Sequence, residues 1–383
     1  MEGSDRAVRN YVHKLSFRIS DAVLSARYGF NARNIWAYWK GILRAWLLWA
    51  FFVYAGFFAA GDSMAERFTS SVLCPLPDAL FLASAPAVLL LVLGTLLSLF
   101  TLMATSMKVG KLTFEQLRGD QFYSEEDAAR AFRANWKPLL LTPVTILCGI
   151  ALGVLLLMLA GVAGKLPGAG PFISALLAIP SWVLGLFLIL SGVSLLFSFH
   201  LVPVITASTG GDTFENLFEL FSTITARPFR LVRGIVAGAA MRIPSFLVFL
   251  LFAWGSVHLT GAMIDRFSGS SGTTSAIESG FSRAAPDLVP FYSSIFSPVS
   301  SSAGSSVSWT GVPSWILAAM GTSLMILLAA YWCSSCTAMW MILYLGARYS
   351  RDGEDLLLRA EEEEYREFRK IYGSTDLGGD RKS

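Results

Sequence analysis

The sequence predicts an all-α fold: a polytopic integral membrane protein with about six transmembrane helices and amphipathic interfacial helices on its cytoplasmic side. Three observations carry that expectation. Six long apolar segments, at 41–60, 84–107, 139–163, 172–207, 231–263 and 314–347, each reach the ~20 residues needed to cross the hydrocarbon core of a bilayer. The composition is 54% hydrophobic and 15% charged, with a mean hydropathy of +0.56, far from that of a soluble domain. The basic residues are also one-sided. Of 30 Lys and Arg, 23 fall in the alternate stretches 1–40, 108–138, 208–230 and 348–383, against 4 (Arg67, Lys165, Arg266, Arg283) on the other side. The positive-inside rule then places both termini in the cytoplasm. The net charge of +3 is too small to point to nucleic acid; its distribution favours contact with the anionic inner leaflet.

The chain opens with a basic leader, 1–40. Val8, Tyr11, Val12, Leu15, Ile19, Ala22, Val23 and Ala26 recur at steps of three and four, with Arg6, Arg9, His13 and Arg18 mostly on other faces. Such a helix lies in the headgroup layer. Arg33, Trp36, Tyr38, Trp39 and Lys40 form an aromatic and basic anchor ahead of the first span. That span begins near residue 41, behind the leader, and reads as an uncleaved anchor with no signal peptide.

The membrane domain, 41–347, contains two inner loops of similar design. Gly119-Asp120-Gln121-Phe122 is followed by Phe132 and Pro138, and Gly211-Asp212-Thr213-Phe214 by Phe221 and Pro228. Ser124 with Asp127, and Asp212 with Glu215, have the spacing of a helix N-cap and its N3 partner. Ala128, Ala129, Phe132 and Trp136 make one apolar face; Phe214, Leu217, Phe218, Phe221 and Ile224 make the other. The match suggests a repeat of roughly 90 residues, each unit an interfacial helix followed by spans. The fourth segment, with Pro180 and Pro203, is too long for one straight crossing. The fifth reads as an in-plane helix over 231–241 and a crossing over 243–263, split at Pro244. The outer loop 264–312 is rich in serine and glycine and reads as flexible. After the last span, the cytoplasmic tail 348–383 carries a helix with Leu358, Tyr365, Phe368 and Tyr372 on one stripe, then a mobile polar end.

Candidates for chemistry are few. The six segments contain no Asp or Glu, which argues against an ion-driven transporter. Arg44, Arg233 and Arg242 lie inside or at the ends of spans, and Arg242 and Arg44 are the candidates among them. Each is a candidate to meet a lipid phosphate or a partner carboxylate, the alternative being an arginine that snorkels to the inner interface. Asp120 and Asp212 could hold turns that dock a partner, or simply cap helices. Trp136 and Phe221 head the two apolar loop faces and complete the set of lipid- or partner-contact candidates. His200 and His258 fall towards opposite leaflets and share no metal spacing. Cys333-Ser-Ser-Cys336 lies within a span, where small-residue packing is the simpler reading. The four cysteines are too scattered for a disulfide framework. No Gly-x-Ser-x-Gly elbow and no Walker loop occurs, so no catalytic, metal or cofactor residues, and no cofactor, are expected.

The Gly-Asp-x-Phe loops, the aromatic-basic entry to the first span and the closing Arg348-Tyr-Ser-Arg-Asp-Gly segment resemble uncharacterised bacterial six-span proteins. Those in turn are similar to the membrane domain found ahead of the catalytic part of some glycerophosphodiesterases. The resemblance implies an all-helical integral domain of the bacterial inner membrane, and it transfers no catalytic residue. The functional expectation is therefore a non-enzymatic scaffold or accessory subunit organising a protein partner or lipid at the cytoplasmic face. A permease or lipid-translocating protein would instead need a polar cavity lined by residues such as Ser191, Ser194 and Thr206. A lipid head-group enzyme would need Asp120, Arg130 and Asp212 to converge. The sequence leaves the oligomeric state open.

Overall fold

The computed structural model describes residues 21, 24–62, 76–268, 312–353 and 355–358. Most of the leader, the serine-rich stretch 269–311 and the tail stripe beyond Leu358 lie outside the described residues. Among those described there is no β-strand. The helices are α1 (Leu24–Gly29), α2 (Ala32–Ala59), α3 (Ala79–Ala83), α4 (Ala85–Arg118), α5 (Glu125–Ala163), α6 (Gly170–Thr209), α7 (Thr213–Ala226), α8 (Pro228–Ser268) and α9 (Val312–Asp352). Six of them, α2, α4, α5, α6, α8 and α9, are long and apolar enough to cross a membrane. The protein is an all-α polytopic membrane protein. In lipid only a helix or a closed barrel satisfies every backbone group, and these segments take the first solution.

Local chemistry sets where the helices start. Asn31 Oδ1 accepts from Arg33 N at 2.9 Å ahead of α2, and Asp78 Oδ1 accepts from Phe81 N at 2.9 Å ahead of α3. A reciprocal Ser124–Asp127 capping box opens α5, as the spacing predicts. Gly210, at φ 65°, ends α6 in the left-handed region that glycine occupies without a Cβ clash.

One proline behaves differently from expectation. α6 runs through Pro180 and Pro203, and α8 runs unbroken from Pro228 to Ser268 through Pro244, so no in-plane helix separates at 241–243. Ending a helix inside hydrocarbon would strand several backbone groups, whereas a proline forfeits one hydrogen bond. The amphipathic stretch of the first inner loop forms a helix of its own, joined to the span within α5 across a kink where Asn135 leaves helical dihedrals (φ −118°, ψ 20°). The bend precedes Pro138, whose ring crowds the carbonyl one turn back. Asn135 Nδ2 donates to Ala131 O at 3.1 Å at the same place.

The chain divides into two compact units, with α4, α8 and α9 contributing residues to both. One comprises 29–105 and 240–335. Within it Val53, Phe57, Phe81 and Ala87 form one buried cluster, with the Phe57 and Phe81 rings edge-on at 4.8 Å. Small residues admit close helix approach: Gly41 faces Thr105, Gly94 faces Phe52 and Gly29 faces Ser335. Ser334 Oγ donates to Gly29 O at 2.9 Å, and both serines between Cys333 and Cys336 are buried, the packing that spacing suggested. Tyr331 is surrounded by Phe30, Phe246 and Phe249 and hydrogen-bonds Ser245.

The other unit includes 106–239 and the chain from 336 onward. Here α5 and α6 pair along their length and α7 packs against both. The pair keeps little of its apolar surface inside the protein: Leu152, Met158, Phe172, Ile179 and Trp182 are all exposed. The core of this unit lies elsewhere, in the last turns of α4 (Met107, Leu112, Phe114, Leu117) and in α9 (Ala338, Met341, Tyr344). Gly110 lets α4 approach Ala207 and Met341, while Gly234 and Gly238 bring α8 onto Leu343 and Met339.

Candidate functional site

Two buried acids organise the basic end of this second unit, and neither was singled out from the sequence. The larger cluster forms around Glu219 on α7. Tyr344, Arg348 and Asp352 recur every fourth residue at the end of α9 and so share one face, with Arg351 beside them. Glu219 Oε1 meets Arg348 Nη1 at 3.2 Å and Arg351 Nη2 at 2.9 Å; Oε2 accepts from Arg351 Nη2 at 3.0 Å and from Tyr344 Oη at 3.3 Å. Arg351 also donates to Ser222 Oγ at 2.7 Å and pairs with Asp352 at 2.6 Å. Glu219, Arg348 and Tyr344 are all buried. Two acids against two arginines leave the cluster electrically balanced, which is the condition for holding charge in a core. A further bond, Asn216 Nδ2 to Thr206 Oγ1 at 2.9 Å, ties α7 to the end of α6.

The smaller cluster surrounds Glu115 near the end of α4. Lys111 Nζ stands 2.9 Å and Arg118 Nη1 2.6 Å from its carboxylate. Tyr123, in the turn that follows, has its phenol pushed up to about 12 by burial first and by the Glu115 carboxylate second. Sequence reasoning ended the second span at 107 and so counted no acid in it. The helix continues to Arg118, and the spacing Lys111, Glu115, Arg118 was the available signal.

The residues expected to make contacts are dispersed. Asp120 is exposed and accepts from Phe122 N at 2.9 Å and Tyr123 N at 3.1 Å; Asp212 is exposed and accepts from Glu215 N at 2.8 Å. Both cap turns, and Arg130 pairs locally with Asp127 at 2.9 Å instead of joining them. Arg242 has an aromatic partner. It is buried, with its guanidinium 4.4 Å from the centre of the Trp332 ring, because a planar, weakly hydrated cation packs on an aromatic face. Arg44 is exposed on α2. Trp136 is exposed beyond the Asn135 bend, while Phe221 is only half-buried. Phe214 and Phe218 point outward at 77% and 61% exposure, whereas Ile224 turns inward beside Asn216, Glu219 and Thr223.

His200 stacks on Trp340 and His258 lies against Trp254. Ser191, Ser194 and Thr206 are buried. Thr206 spends its hydroxyl on Val202 O and Asn216, and Ser194 Oγ has no hydrogen-bond partner among the described residues. No protein-family model, curated protein or solved structure matches the chain.

What this arrangement can do follows from its saturation. Each oxygen of Glu219 accepts from two donors, which leaves little capacity to bind or deprotonate a substrate. The same contacts hold α7 rigidly against the end of α9 and α6. The chemistry spent here is positional.

Proposed function

We propose that this protein is a non-enzymatic integral membrane scaffold or accessory subunit, with both termini in the cytoplasm of a bacterial cell and its working surface on that side. The observation that carries the reading is the Glu219–Arg348–Arg351 cluster, which uses buried charge to fix a surface helix in place. A buried ion pair contributes little net stability over an apolar core of the same shape, and its best-attested use is to specify one arrangement. The arrangement specified is a helix whose aromatic side chains face outward, toward a protein partner or lipid. The α5–α6 pair adds two spans whose apolar sides remain available to another membrane helix.

Purification of the full chain in mild detergent tests the reading. A second polypeptide at fixed stoichiometry, lost from the Glu219→Ala variant, is the expected result; a monomer without a companion overturns it. A permease is the second reading, favoured by the buried and unbonded Ser194 hydroxyl beside Ser191. Solute flux in proteoliposomes that disappears on Ser194→Leu would support it over the scaffold.

A further inference from the structure

The amphipathicity of α7 is the reverse of what water imposes. Its polar Asn216, Glu219 and Thr223 are buried, and Phe214 and Phe218, one turn apart on one face, are exposed. At Arg227 the chain leaves helical dihedrals (φ −146°, ψ 68°), and Pro228 opens α8. The apolar strip then continues. Phe229, Val232 and Val236 recur at steps of three and four on α8 and are exposed at 83%, 55% and 62%. The other side of these turns, Gly234 and Gly238, packs on Leu343 and Met339. Through the same corner run Arg227, Arg230 and Arg233, of which Arg227 and Arg233 are exposed. No Asp or Glu occurs anywhere in 220–264.

We infer that the α7–α8 corner is a binding surface for anionic phospholipid. The phenylalanines lie among acyl chains just below the headgroups, and the three arginines take the phosphates, which their planar donor forks fit. Two features select lipid over a protein partner. Beyond the break at Arg227, exposed apolar residues resume on a helix long and apolar enough to cross the bilayer, so the far end of the set is covered by acyl chains. A segment, 220–264, that carries arginines and no Asp or Glu also complements a leaflet rich in anionic headgroups. The inference rests on the membrane-spanning fold and not on the scaffold reading, so either can fail alone.

The test uses the purified full chain in mixed micelles of phosphatidylcholine and phosphatidylglycerol, with retained lipids counted by native mass spectrometry. The wild type should retain phosphatidylglycerol preferentially. Each of R227Q, R230Q and R233Q should lower that preference by roughly fivefold, the worth of one arginine near an anionic surface. Thermal unfolding in phosphatidylcholine alone, unchanged in these variants, shows that they fold. The double variant F214S/F218S should weaken retention of long-chain phosphatidylglycerol while leaving any response to its water-soluble headgroup as it was. Undiminished phosphatidylglycerol preference in the triple arginine variant overturns the proposal and leaves the ridge to a protein. An equal stabilisation of the wild type by inorganic phosphate or the free headgroup also overturns it, since the site would then be one for a soluble anion.

Discussion

Thr113-Phe-Glu-Gln-Leu117 and Thr213-Phe-Glu-Asn-Leu217 are nearly the same pentapeptide, yet the protein uses them in opposite ways. Phe114 is buried and Phe214 is 77% exposed; Glu115 is buried between two cations and Glu215 is exposed. The difference originates upstream. The first copy arrives near the end of a helix that has run since Ala85, so its rotation is inherited from the packing of the whole span. The second follows a break made by Gly210 and a fresh start capped by Asp212. Its rotation is then set by the next available anchors, Asn216 to Thr206 and Glu219 to the arginines of α9. Local sequence decides that a helix forms here. Which residues it buries is decided by where the helix was last interrupted.

Substitutions in the two anchors probe this contrast most strongly. Glu219→Ala removes one partner from a buried cluster and leaves Arg348 enclosed beside Arg351; the expected loss is about 3–5 kcal/mol, read as thermal unfolding in a fixed detergent. Protease cleavage near Arg227 should rise in the same variant, because α7 loses its main attachment. Glu115→Ala should cost less, about 1–2 kcal/mol, since Lys111 and Arg118 keep partial access to solvent and regain hydration. Equal losses at the two sites would break the comparison. Asp212→Ala deletes the cap that restarts the chain and should cost about 1 kcal/mol, with faster amide exchange in the first turn of α7. The smallest effect belongs to Asn135→Ala. It should change stability by less than about 0.5 kcal/mol while slowing exchange at 135–139 as α5 straightens.

The spans were legible because length and apolarity are properties of the segment alone. The caps at Ser124 and Asp212 were equally legible, being fixed by neighbours within three residues. The orientation of α7 was not. The spacing of its phenylalanines marked an apolar interfacial face, but the inward turn of Asn216, Glu219 and Thr223 depends on partners in α6 and α9. The aromatic partner of Arg242 was not legible either. The place of Arg242 depends on Trp332, which nothing near residue 242 reveals. Glu219 could have been suspected from its position inside an otherwise aromatic helix, but its partners Arg348 and Arg351 belong to the final span.

The contact between Gly29 and Ser334 has a consequence for biosynthesis. The two residues are separated by 305 positions, and Trp39 likewise waits for Ser323. The α5–α6 pair, by contrast, can close as soon as it leaves the ribosome, because its contacts are between neighbours in sequence. The contacts of Gly29 and Trp39 with α9 therefore stay open until nearly the whole chain has been made, while Gly41 of the first span already meets Thr105 of α4. A chain truncated before α9 should leave Gly29 and Trp39 without these contacts, and degradation of such fragments would follow from recognition of the α1–α2 end, far from where synthesis stopped.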